Sequence, residues 1–129
     1  MDYDTFLDTI TRRAPVPPDK AEPLTRATLE TLAERLTRGE AEDLASELPK
    51  PMKTPLVSPT PEAERFGLDE FVDRVSRRAG LGTDEAREGV RAELSTLRDA
   101  VSDGEFRQVM SQLPRDFEAL VGAPGQGQP

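Results

Sequence analysis

Apolar positions along the chain recur at helical intervals. Phe6, Leu7 and Ile10 stand at i, i+1 and i+4 ahead of Arg12-Arg13, and Phe71, Val72 and Val75 repeat the arrangement ahead of Arg77-Arg78. Each stripe predicts a short helix. Ala86, Val90, Leu94, Leu97 and Val101 step by four, four, three and four residues. They predict a longer second helix behind Thr83, which is expected as its N-cap. Phe106, Val109, Met110 and Leu113 share one face of a third helix running from Glu105 to Leu113, where Pro114 breaks it. A last turn of helix is expected to hold Phe117, Leu120 and Val121. No alternating β-branched run and no hairpin dipeptide between apolar segments occurs, so the predicted class is all-α.

The two halves resemble each other. An offset of 65 positions carries Tyr3 to Leu56 onto Leu68 to Val121 without a gap. Identities include Asp4/Asp69, Phe6/Phe71, Arg12/Arg77, Arg13/Arg78, Leu29/Leu94, Gly39/Gly104, Glu40/Glu105, Leu48/Leu113 and Pro49/Pro114. Most other pairs are conservative, which shared helical composition explains poorly. The expectation is a tandem duplication of a three- to four-helix unit. One copy spans residues 1–56, a proline-rich linker 57–66, the second copy 67–121 and a disordered tail 122–129. A single copy offers about ten core-grade side chains, too few for a comfortable core. The two copies are therefore expected to pack as one bundle with pseudo-twofold symmetry, with two independent beads on the linker as the alternative.

Proline makes the copies unequal. Pro15-Val16-Pro17-Pro18 replaces the Gly80-Leu81-Gly82-Thr83 turn, and Pro23 stands where the second copy has Glu88. Proline fits a helix only within its first turn, so the second helix of the first copy is expected to begin near Ala21 or Glu22 and to be about a turn shorter. Pro49, Pro51 and Pro55 argue against a terminal helix in that copy, and Pro59 and Pro61 extend a semi-rigid linker to about Arg65. If the copies do different work, partner contact is expected on the proline-altered first half and stability from the second.

Composition narrows the chemistry. With 17 basic and 25 acidic side chains the net charge is −8, which repels phosphate backbones. There is no cysteine and no histidine, which removes disulfides, thiol nucleophiles, imidazole bases and nearly every zinc site built on nitrogen or sulfur. No run approaches the about 18 apolar residues of a membrane span, and the start Met1-Asp2-Tyr3-Asp4 is acidic where a secretory signal is basic. A cytoplasmic location is expected, with no membrane association.

Candidate chemistry is sparse. Asp4/Asp8 and Asp69/Asp73 stand at i, i+4 and could offer two oxygens to a cation, but acids in a first helical turn answer the helix dipole, and solvated or capping roles are expected. Arg12, Arg13, Arg77, Arg78 and Arg91 are the candidate partner contacts, because a repeated arginine pair could hold a phosphate or an acidic partner. Their competing role is to meet a helix C-terminus or a neighbouring carboxylate. Gly39-Glu40 and Gly104-Glu105 read as helix stops, with left-handed glycine and a glutamate facing the next dipole. No phosphate-binding glycine loop, nucleophile elbow or calcium loop is present, so no catalytic residue, metal or cofactor is assigned.

The segments DYDTFLDTITRRA and LDEFVDRVSRRAG, with LTRGEAEDLASELP and VSDGEFRQVMSQLP, resemble the bacterial family called domain of unknown function 2267. The resemblance covers roughly Met1 to Val121. It implies a small all-helical tandem-repeat protein and carries over no activity.

The expected function is a non-enzymatic interaction or regulatory module that presents a helical groove or its acidic face to another protein. An open groove lined by Phe71, Val75, Leu94 or Met110 would mark such a role. The alternative is a nucleic-acid regulator with a helix-turn-helix-like repeat using Arg77, Arg78, Arg87 and Arg91, against which the acidic balance argues.

Overall fold

The computed structural model describes residues 1–58 and 61–122, and among them every regular element is helical. The elements are α1 (Tyr3–Arg13), α2 (Ala21–Arg35), α3 (Arg38–Ser46), α4 (Lys50–Lys53), α5 (Leu68–Ala79), α6 (Thr83–Ala100), α7 (Asp103–Ser111) and α8 (Arg115–Val121). Single 3₁₀ turns at Pro18–Lys20 and Thr54–Leu56 precede α2 and follow α4.

Local chemistry explains most boundaries. The Asp2 carboxylate accepts from the Thr5 amide at 2.8 Å and opens α1. Pro17 and Pro18 confine the next residues to a 3₁₀ turn, so α2 starts at Ala21 and runs 15 residues, against 18 in α6. That start and that shortening follow from Pro23, which loses no helical hydrogen bond in a first turn.

Three expectations are corrected. Thr83 is the first residue of α6 rather than its cap. The cap is Gly82, whose amide donates to Glu85 Oε1 at 3.2 Å. Gly39 and Gly104 neither stop a helix nor adopt left-handed backbone, for they are the second residues of α3 and α7. The hydroxyls of Thr37 and Ser102 cap those helices, each accepting the amide of the glutamate three residues on, at 3.2 Å. The left-handed glycine is Gly80, with φ 68°, at the end of α5. Finally, the prolines after Leu48 do not abolish a terminal helix. Pro51 falls in the first turn of α4 and Pro55 in that of the following 3₁₀ turn, where a missing amide hydrogen costs nothing.

One contiguous core draws on both halves. Phe6, Ile10, Leu24, Leu29 and Leu32 share it with Phe71, Val75, Val90, Leu94 and Phe117, all fully buried. Helix α2 packs on α5 and α6, and α1 packs on α6, so independent beads are excluded. The rings of Phe71 and Phe117 meet edge to face with centroids 5.2 Å apart. The described part of the linker is fastened to α2: the Glu64 amide donates to the Glu34 carbonyl at 2.8 Å and Arg35 Nε to the Phe66 carbonyl at 2.8 Å. It is a strap rather than a spacer. Pro59 of the expected linker, and the expected tail beyond Gly122, lie outside the described residues.

Candidate functional site

The five candidate arginines do not form one patch. Arg12 pairs with Asp8 and Arg77 with Asp73, each one turn back along its own helix, and Arg91 pairs with Glu88 at 2.6 Å. Arg13 and Arg78 reach across the molecule instead. Arg13 donates to Thr96 at 3.2 Å and Asp99 at 2.8 Å on α6, while Arg78 donates to Thr31 at 2.9 Å and Glu34 at 2.7 Å on α2. Arg87, the remaining contact of the nucleic-acid reading, is held by Asp69 at 2.9 Å. Of the paired aspartates, Asp8, Asp69 and Asp73 therefore balance arginines.

The two long-range arginine contacts correspond at the same offset of 65 positions, Thr31 and Glu34 standing to Arg78 as Thr96 and Asp99 stand to Arg13. A second pair behaves alike. Glu47 accepts from the amide of Ser102 at 2.7 Å, and Gln112 Oε1 accepts from the amide of Thr37 at 2.9 Å. Each half thus supplies an acceptor to the residue that caps a helix in the other. The repeat offset names which positions have counterparts, so one contact of each pair predicts the other, but it does not say which residues meet.

Phe71, Val75 and Leu94 are fully buried, so no groove opens along them. Met110 does border an opening, a cleft of about 510 Å³ between the end of α6, α7 and α8. Its apolar floor is half-buried Phe106, Met110 and Val121. Its lip carries Arg98, Asp103, Arg107 and Glu118, none of which belongs to an ion pair among the described residues. The corresponding place in the first half is a depression of about 600 Å³ with Ala45 and buried Leu56 where the cleft has Met110 and Val121. The first-half depression also exposes Val57, but the aromatic ring and the thioether stand only in the second-half cleft of this pair.

Sequence reasoning missed Glu93, which is fully buried on α6 and accepts from the Thr25 hydroxyl at 2.6 Å. Burial pushes its carboxyl up to about 8, against the lowering effect of Thr25. The signal was available, for Glu93 lies three residues from Val90 and four from Leu97, within the apolar face of the helix. Sealed from solvent, it has no access to a substrate. No helix among the described residues is long and apolar enough to cross a membrane.

A search of curated proteins returned no match. A family model described as "Uncharacterized conserved protein (DUF2267)" matches residues 3–120, nearly the whole helical body with both halves of its core, and the chain belongs to that family.

Proposed function

We propose that this chain is a non-enzymatic, cytoplasmic protein-interaction module whose α7/α8 cleft receives an amphipathic helix of another protein. The observation that carries the reading is the cleft itself: an aromatic ring, a thioether and a valine left half-buried beneath four charges that have no ion-pair partner among the described residues. Methionine and aromatic side chains adapt to aliphatic knobs, and a groove of this kind fits a helix with anchors at i and i+3 or i+4. The lip has both signs, so the fitting helix carries an acid toward Arg98 or Arg107 and a base toward Asp103 or Glu118. Two features bear against nucleic acid. The arginines that reading requires are each engaged by a carboxylate, and the net charge is −8.

A photo-crosslinking amino acid in place of Met110, compared in cells with one in place of exposed Asp4, tests this. Cross-links from position 110 that map by mass spectrometry to an apolar helical face of a different protein, and that are lost in a Phe106→Glu background, are expected. Equal labelling from both positions, or links only to a second copy of the chain, would overturn the reading.

A further inference from the structure

The repeated Gly-Glu dipeptides place Glu40 and Glu105 at the third position of α3 and of α7. These helices pack against each other. As a result, one carboxylate oxygen from each of Glu40, Asp43 and Glu105 lies within 4.8 Å of the other two. Closeness of exposed acids alone would mean little. Glu40, however, is only 5% exposed, and its Oε2 is buried without a hydrogen-bond partner, as is Oε2 of Glu105. None of the three carboxylates takes part in an ion pair among the described residues. Like charges withdrawn from water with no compensating group are costly, and a bound cation would remove that cost.

We propose that Glu40, Asp43 and Glu105 form a binding site for a divalent cation of calcium size that ties α3 to α7. The donor set is entirely carboxylate oxygen, which selects hard cations over zinc or copper. Coordination habit selects among hard cations. Ca²⁺ accepts irregular oxygen geometry, whereas Mg²⁺ demands a near-ideal octahedron and dehydrates reluctantly, so three carboxylates fixed by two packed helices favour the larger ion. Asp43 is exposed and gives the ion its entrance, and waters complete the coordination from that side. The site stands independently of the α7/α8 cleft.

Titration of the full chain with CaCl₂ at neutral pH, followed by calorimetry and thermal unfolding against an ionic-strength-matched KCl control, tests the assignment. Saturable binding is expected, with affinity reduced about tenfold or more in Asp43→Asn and in Glu105→Gln and with MgCl₂ weaker than CaCl₂. Asp43 is exposed, so its variant keeps the test usable should a Glu40→Gln protein fail to fold. Mn²⁺ as a paramagnetic probe should broaden amide resonances of residues 40–47 and 102–109 first. No heat and no shift beyond the KCl control at about 5 mM calcium would overturn the proposal. Binding undiminished in both variants, or broadening elsewhere, would overturn it equally.

Discussion

Arg78 on α5 donates to Glu34 on α2 across 2.7 Å, and the same guanidinium reaches the Thr31 hydroxyl at 2.9 Å. Burial alone would raise the Glu34 carboxyl, but the hydrogen bonds from Arg78 and Arg74 outweigh it and hold it below the usual glutamate range. Arg77, the next residue, pairs among the described residues only with Asp73 on its own helix, with both side chains more than half exposed. Adjacent residues of one type therefore do different things.

Arg78→Ala is expected to destabilise the protein by about 1–2 kcal/mol, since it removes charge-assisted hydrogen bonds joining two helices. Arg77→Ala should stay within about 0.5 kcal/mol of the parent, as exposed i, i+4 pairs do. Urea unfolding of the two variants checks the contrast, and equal losses would contradict it.

Glu93 sets a pH dependence of definite sign. In the folded chain its carboxyl stays protonated to about 8, while in the unfolded chain it ionises near the ordinary value of 4.5. Between those values the unfolded state binds fewer protons, so this group's contribution to stability is full below pH 4.5 and is lost as pH rises toward 8. Glu93→Gln cannot ionise and can still accept from Thr25. Its stability advantage over the parent should be small at pH 5 and grow to a plateau above pH 8, with a ceiling of about 5 kcal/mol. Denaturant midpoints of both proteins across that range would show it, and a gap independent of pH would refute it.

Two glycines in helices predict opposite outcomes. A Cβ on Gly89 would lie 2.8 Å from both methyl carbons of Leu24, which is fully buried and has no room to yield. Gly89→Ala should therefore cost about 1–2 kcal/mol net, overpacking exceeding the gain in helix propensity. Gly104 has nothing within 4 Å of such a Cβ and lies inside α7 with ordinary helical backbone. Gly104→Ala should stabilise by up to about 1 kcal/mol. Thermal unfolding distinguishes this from the helix-stop role, under which alanine would be harmful.

Because α2 packs on α5 and α6 within a common core, residues 65–129 alone should lack a cooperative unfolding transition and show much reduced helicity by circular dichroism. A sharp transition in that fragment would mean that the second half carries a sufficient core of its own.

The sequence by itself determined the helical class, most of the apolar faces, the late start of α2 and the pairs of positions that correspond at an offset of 65, because these follow from periodicity, proline stereochemistry and identity along the chain. It misplaced the caps of α3 and α7. A Ser or Thr hydroxyl two residues before the glycine competes with the glycine for the boundary, and only the backbone conformation shows which one ends the preceding helix. What tertiary structure alone decided was the partner of each charge. The arginine doublets read as one repeated motif, yet packing leaves Arg12 and Arg77 on their own helices and carries Arg13 and Arg78 to the opposite half. The Gly-Glu dipeptides likewise read as helix signals, and only the contact of α3 with α7 brings Glu40 and Glu105 into one buried cluster. Such pairings depend on helix crossings between residues dozens of positions apart, which local spacing does not encode.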